Sequence, residues 1–564
     1  MKKLINDPTS VVREMLEGAV ALNSHIAILP DENVVVQSDL AEANARKVAI
    51  LSGGGSGHEP AHAGYVGRGM LTAAVAGDVF TSPSTDAVLS AIRAASGPAG
   101  ALLIVKNYTG DRLNFGLAAE LARAEGIPVD IVVVSDDVAL RNSVPKERRR
   151  GIAGTVLVHK VAGAAAEKGL PLAEVARLAR YAADNIASMG VSLGACTLPA
   201  VGKPGFELGE DEIEVGLGIH GEQGIRRMPI VSADHLCSLI LETMDADRPF
   251  IRGDRVALLV NGLGSTPPME LSIVARAAIS GLQAHGVAAE RAWAGTFLSA
   301  LDMPGFSLSV MYLDDMLLDL LDAPTEASSW PGKGRVNAHR AMAEPLKPVV
   351  TESAHATSPT AEGLQVRELA ARAANAAISA EDELTKLDSI AGDGDLGASM
   401  KRGGEAILAL SAADFVDPST GLASIGNALR RSIAGSSGPF YAAGLLRASR
   451  RLADLALPSA KDWSDAFSLA VDAISELGGA QPGDRTMVDA LRPAADALKA
   501  GLASGKSPEE AWRAAIDAAI AGANATKTMR PRLGRASYLG ERAVGHPDGG
   551  AVAVATWLKA LTPR

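Results

Sequence analysis

The sequence predicts a two-part chain, an α/β unit followed by an all-α helical bundle, and three observations predict it. Over roughly the first 300 residues, short β-branched and apolar runs alternate with segments of helical period. A stretch rich in Pro, Ser, Gly and Thr then interrupts the periodicity. Beyond it the texture turns Ala- and Leu-rich, with apolar residues three and four apart and few β-branched runs. A chain of 564 residues also exceeds what one core usually holds, about 250–300 residues.

Taken in order, Val48–Leu51, Ala101–Val105, Asp130–Val134, Val256–Val260 and Leu308–Met311 read as strands covered on both faces. Phe115–Glu125 reads as one of the helices between them. The α/β unit is expected over residues 1–325, a tether over 326–361, and the helical unit, about eight helices, over 362–564. Leu364, Leu369, Ala373 and Ala376-Ala377 mark one apolar stripe of that unit, and Leu491, Ala494 and Leu498 another.

Composition excludes several classes. A net charge of −11 with 4% aromatic residues argues against a nucleic-acid surface. Two cysteines, Cys196 and Cys237, make neither a disulfide framework nor a four-thiolate zinc site, so a reducing cytoplasm is expected. Met1-Lys2-Lys3 opens like an export signal, but Asn6-Asp7-Pro8 interrupts it. The longest uncharged stretch, residues 185–202, is too rich in Gly, Ser and Ala to span a membrane, so none is expected as a partner. Two motifs are decoys. Gly501-Leu-Ala-Ser-Gly-Lys-Ser507 has three residues between its glycines where a P-loop has four, and Ser507 with Glu510 reads as a helix capping box. Gly216-x-Gly218-x-x-Gly221 fits a dinucleotide pattern by letter, yet no apolar helix follows it.

Four other segments carry chemistry. Ser52-Gly53-Gly54-Gly55-Ser56-Gly57-His58-Glu59-Pro60 follows a strand, where glycines let backbone N–H groups approach a small polar ligand, and His58 and His62 stand beside them. Lys106 and Asp111 lie five apart after another strand, a cation and a carboxylate fit to bind hydroxyls and exchange a proton. Gly216-Leu-Gly-Ile-His220-Gly-Glu222 places one imidazole in a glycine-flanked loop. Asp388, Asp393 and Asp395, separated by glycine, repel one another unless a cation holds them, and hard oxygen donors of this kind suit Mg2+; an EF-hand is excluded because no Glu closes the loop. Gly435-Ser436-Ser437-Gly438, Gly483-Asp-Arg485-Thr486-Met487, Arg535-Ala-Ser-Tyr-Leu-Gly540 and Gly545-His-Pro-Asp-Gly-Gly550 are small-residue turns that could offer N–H groups to phosphate.

Together and in this order, the segments resemble the ATP-dependent dihydroxyacetone kinases, in which a ketose-binding domain is fused to a nucleotide-binding domain. The most specific pieces are Gly53–Gly64, Gly218-Ile-His220-Gly-Glu222, Gly392-Asp-Gly-Asp395 and Gly534–Gly540. The resemblance implies a kinase that phosphorylates a short ketose, dihydroxyacetone before the four-carbon erythrulose. It implies that Gly55, Ser56, Gly57 and His58 cradle the ketose with Lys106 and Asp111, and that His220 adds to its carbonyl as a hemiaminal. His58 and Asp111 are then the acid/base candidates, with their roles open between them. It implies that Asp388, Asp393 and Asp395 hold Mg2+. ATP would be lined by Asp395, Leu396, Gly397, Ala398, Ser436, Ser437, Gly478, Thr486, Met487, Arg535, Asp548, Gly549 and Gly550. A homodimer is also implied. The chain departs from the family at Asp548-Gly549-Gly550, where Asp-Pro-Gly is usual. A ketose-binding regulator without transfer, or a lyase acting on FAD, are rival readings; the intact carboxylate set argues against the first.

Overall fold

The computed structural model describes residues 2–337, 358–455, 457–538 and 540–562. The chain divides into two compact units, 1–344 and 345–564.

The first unit holds two six-stranded sheets. The first is built from β1 (Ile26–Ile28), β2 (Val34–Gln37), β3 (Ala49–Ser56), β4 (Ala73–Val79), β5 (Ala101–Lys106) and β6 (Val129–Val134), in the order β1-β2-β4-β3-β5-β6. Strands β4, β3, β5 and β6 run parallel, while β1 and β2 are antiparallel additions at one edge. The second is built from β7 (Ile186–Ser192), β8 (Glu212–Val215), β9 (Arg226–Pro229), β10 (Arg255–Gly262), β11 (Ala288–Gly295) and β12 (Gly305–Tyr312), in the order β11-β10-β12-β7-β8-β9. Only β10 and β11 pair in parallel there.

Four of the five continuous apolar runs end up inside, as expected, whereas Asp130–Val134 forms the edge strand β6 and leaves Val133 exposed. All of β5 and all of β12 are buried. The helix Thr155–Glu167 is buried from Thr155 to Ala166, and it shares one core with residues from β3, β5, β10 and β12. Helices Thr85–Ala95 and Thr109–Ala124 cover the outer face of the first sheet, and Ala233–Asp247 with Pro268–Ala284 that of the second.

Three expectations need correction. The glycine run does not open a loop after β3: Ser52–Ser56 are part of the strand and pair with β4. Gly53 makes this possible, because a Cβ there would strike the Val75 carbonyl oxygen. The tether does not begin at 326. Ala327 and Trp330 are buried, Trp330 packs on Trp293 at 4.8 Å, and the Gly334 carbonyl accepts from Ala292 N–H at 2.7 Å, so this segment still belongs to the first unit. Residues 338–357 of the expected tether lie outside the described residues.

The third correction is in the second unit, which contains nine α-helices among the described residues: Ala361–Ser379, Glu381–Ala391, Leu396–Leu408, Pro418–Ser432, Ser437–Leu452, Ala460–Gly478, Val488–Ala503, Pro508–Ala525 and Gly549–Ala560. Its first helix buries Gly363, Val366, Ala374 and Ala377 and leaves Leu364 exposed. The stripe is displaced because Gly363 lies against the Phe415 backbone, where no side chain fits. The second stripe is buried as expected at Leu491, Ala494 and Leu498. Ser507 caps its helix in a full capping box with Glu510, which disposes of the P-loop reading.

Candidate functional site

The first cluster forms where parallel strands β3 and β5 end, the position at which open α/β sheets collect ligands. Lys106 is the last residue of β5, and Asp111 lies in the first turn of the helix Thr109–Ala124. Both are buried. A Cβ on Gly54 would stand 2.5 Å from Lys106 Nζ and 3.6 Å from Asp111 Oδ2, so the bare Cα leaves a small space bordered by a cation and a carboxylate. Asp111 also accepts from the Ser82 hydroxyl. Burial pushes the Lys106 ammonium down from its ordinary pKa, while the Asp111 charge opposes that shift. Of the predicted cradle, Gly55 lets β3 lie against the 80–81 turn. Ser56 donates its hydroxyl to the Gly77 carbonyl at 2.7 Å and so serves the β3–β4 pairing.

The second sheet supplies the rest. His220 comes from the turn between β8 and β9, and Ser299 follows β11. His58 Nδ1 donates to the Ser299 carbonyl at 2.7 Å, since a carbonyl can only accept. His220 Nδ1 donates to Glu222 Oε1 at 2.9 Å, and the His220 backbone N–H donates to Glu222 Oε2 at 2.9 Å. Burial works against the Glu222 charge, but the bond and charge of His220 prevail and hold its pKa at about 2. Gly218 must be glycine, because the Glu222 carboxylate passes where its Cβ would lie.

These partners dictate the proton count. Each ring commits its Nδ1–H outward, so each Nε2 presents a lone pair, and the two Nε2 atoms meet at 3.1 Å. Two lone pairs cannot bond to each other. A hydrogen bond between them therefore requires one added proton, which Glu222 would balance. Burial first, then Lys106 and His220, hold the His58 pKa well below its ordinary value. Phe80 stacks on His58 at 5.1 Å, and Phe80 and Tyr108 meet the His220 ring edge-on at 5.1 and 4.7 Å. The structure thus brings Gly57, His58, Lys106, Asp111 and His220 together. Sequence reasoning missed Phe80, Ser82 and Ser299, and only the last acts through its backbone.

The second cluster lies in the helical unit. Asp388, Asp393 and Asp395 offer carboxylate oxygens within 4.8 Å of one another. Asp388 folds back over Gly392, where a Cβ would strike its carboxylate. The predicted nucleotide residues stand mostly at helix N-termini: Asp395–Ala398 at Leu396–Leu408, Ser436 and Ser437 at Ser437–Leu452, Thr486 and Met487 at Val488–Ala503, and Asp548–Gly550 at Gly549–Ala560. Four such ends suit phosphate. Contacts join three of them, since Gly549 lies against Leu396 and Gly550 against Met487. Gly478 is instead the last residue of its helix, packed on Phe440. Asp548 caps its helix by accepting from Ala551 N–H at 2.8 Å. Burial raises its pKa to about 6 against the pull of Arg485. The Arg535 side chain lies outside the described residues.

The donor set fits Mg2+, which prefers carboxylate oxygens and phosphate. Arg485 adds an independent sign of an anion. It is 2% exposed, and its Nε and Nη1 have no hydrogen-bond partner among the described residues.

The fold and the two clusters define a two-unit chain, one unit built around a pair of facing imidazoles beside a buried lysine and aspartate and the other around a carboxylate cluster with helix N-termini. Comparison with known proteins agrees. The Dak1 domain family matches residues 17–329 and the DAK2 domain family residues 390–563. The chain is 43% identical to the triokinase/FMN cyclase of Bos taurus over 99% of its length and 98% of that protein. It is 38% identical to the D-erythrulose kinase of Mycolicibacterium smegmatis over 98% of its length and 97% of that protein. The dihydroxyacetone kinase from C. freundii in complex with AMP-PNP and Mg2+ matches at 36% identity and a TM-score of 0.66, covering 100% of this chain and 99% of that one. The chain belongs to the dihydroxyacetone kinase family, with both domains fused in one polypeptide.

Proposed function

We propose that this protein is an ATP-dependent kinase that phosphorylates the terminal hydroxyl of dihydroxyacetone, with the ketose held as a hemiaminal on His220. The observation that carries the reading is the opposed His58–His220 pair beside Lys106 and Asp111. The His220 Nε2 lone pair bonds to the keto carbon, and the carbonyl π pair moves to oxygen, which takes the proton shared with His58. The positive charge stays on ring 220 next to Glu222, so charge balances throughout. On this reading the two acid/base candidates divide by position: His58 serves the carbonyl end, and Asp111, held by Ser82 beside Lys106, takes the proton of the attacking hydroxyl. Glycerol offers nearly the same hydroxyls but no carbonyl, so only a covalent bond separates the two well.

ATP and Mg2+ are the cofactors. Asp388, Asp393 and Asp395 would hold Mg2+, which when bound neutralises charge on the phosphates, and Arg485 offers two further N–H groups nearby. The test is ATP consumption with dihydroxyacetone, both erythrulose enantiomers, glyceraldehyde and glycerol. The M. smegmatis relative's name favours erythrulose as the second reading, and a higher kcat/KM on either enantiomer would make it the first. His220→Ala should lower ketose kcat/KM at least about 100-fold and erase its advantage over glycerol. Unchanged selectivity would refute the covalent anchor.

We also propose a homodimer. Leu113, Leu117 and Leu121 form an exposed stripe along the helix Thr109–Ala124, beside exposed Val133. Sedimentation at micromolar concentration should give twice the chain mass; the mass of one 57.8 kDa chain would refute it. No described helix is long and apolar enough to cross a membrane.

A further inference from the structure

Two buried imidazoles behind the ketose pocket take no part in the scheme above. His62 Nε2 stands 2.8 Å from Lys106 Nζ, and His62 Nδ1 stands 3.0 Å from His159 Nε2. Lys106, His62 and His159 are 0%, 6% and 0% exposed. The donor decides every proton in this row. An ammonium only donates, so His62 Nε2 accepts, His62 Nδ1–H donates to His159 Nε2, and the His159 proton sits on Nδ1. That last N–H is buried with no partner among the described residues.

A buried ammonium has three protons to place in fixed directions, and each unplaced one is costly. Asp111 faces Lys106 from its helix, His62 faces it from the turn after β3, and His58 and His159 lie within reach of its charge. A second carboxylate at position 62 would compete with the ligand for the ammonium. A neutral ring accepts one proton and leaves two. Burial, then the Lys106 charge, keep both rings neutral, His159 at about 3 and His62 well below its ordinary value.

We propose that His62 and His159 are positioning residues for ketose binding: a two-imidazole brace that engages one Lys106 proton and aims the other two at Asp111 and a ketose hydroxyl. The brace rests on the reading of Lys106 as a ketose ligand.

The full chain with 15N-labelled histidine tests the geometry first. Ring-nitrogen shifts between pH 6 and 8 should show His62 and His159 both protonated on Nδ1, and His62 protonated on Nε2 overturns the brace. Kinetics then test its role. His62→Leu should raise the ketose KM about 30-fold and leave the ATP KM unchanged. It should also move the alkaline limb of ketose kcat/KM to lower pH, because Lys106 loses the acceptor that compensates its charge. His62→Gln keeps an acceptor and should recover most of the loss, while His159→Gln should show a smaller KM rise. A purely structural role would lower the melting temperature and leave the alkaline limb in place, which also overturns the proposal. Lys106→Met separates the two levels. If it loses ketose affinity while His62→Leu keeps it, the brace fails and the ligand reading stands. If Lys106→Met binds ketose like the parent, the ligand reading itself fails.

Discussion

Replacing Glu222 by Gln is a small change in shape with a large expected effect. Both carboxylate oxygens accept in the native site, one from His220 Nδ1–H and the other from the His220 backbone N–H, each at 2.9 Å. An amide offers one acceptor and one NH2 group. If its oxygen takes Nδ1–H, the NH2 opposes the backbone N–H, at about 1–3 kcal/mol for two facing donors. If the amide turns over, its NH2 donates to Nδ1 and the ring proton moves to Nε2, which removes the lone pair of the proposed nucleophile. Either route lowers the population of the reactive tautomer, so ketose kcat/KM should fall about 10- to 100-fold. Glu222→Ala leaves Nδ1–H to solvent and forces no tautomer, so Glu222→Gln should be the worse of the two. The assay is steady-state ATP turnover with saturating ATP and varied ketose, together with calorimetric ketose binding. Activity of Glu222→Gln within twofold of the parent, or above Glu222→Ala, would refute the tautomer argument.

Two other outcomes follow from the same geometry. Asp393→Asn should abolish Mg-ATP turnover, by at least about 100-fold, while calorimetry still shows ketose capture, because a carboxylate of the 388–395 cluster is lost and the imidazole pocket is untouched. Acid should destabilise the first unit: His62 and His159 have folded-state pKa values below the unfolded value of 6.5, so the unfolded chain binds more protons as pH falls, and these two groups together cost about 2.7 kcal/mol per pH unit below about 6. Urea unfolding between pH 7 and 5 should show the slope lowered by about 1.4 kcal/mol per pH unit in His159→Gln, and an unchanged slope would refute neutral burial.

Much of the fold was legible because buried strands are continuous apolar runs, and apart from Val48, one residue before β3, the five marked segments lie in strands. Strands that escaped are short or charged. β9 is Arg-Arg-Met-Pro and mostly exposed, and β11 carries Glu290 and Arg291 in ion pairs, so no apolar pattern announces either. The glycine run escaped for another reason: a strand of glycines has no side-chain period, and only its approach to Val75 shows what it is for. Site residues with unusual chemistry for their setting, such as His58 and Lys106, could be singled out. Ser299 could not, because it acts through a carbonyl that every residue has, 241 positions from its partner. His159 was hidden within an apolar helix, where one polar letter looks like a fault in the pattern.

The partners of the four imidazoles explain why the pocket needs so many. Each ring is fixed by a neighbour that can act in only one sense: a carbonyl at His58, a carboxylate at His220, an ammonium at His62 and, through that ring, His159. All four therefore carry the proton on Nδ1, and the lone pairs of the ketose-facing pair point at each other across 3.1 Å. That contact is stable only with an added proton, and in the proposed hemiaminal that proton would pass to the new hydroxyl. A polyol can supply hydrogen bonds to Lys106 and Asp111, yet it offers no atom that could bond to carbon and accept this proton. On the proposed scheme, selection against glycerol would rest with the imidazole pair, and the hydroxyl contacts would only orient the ketose.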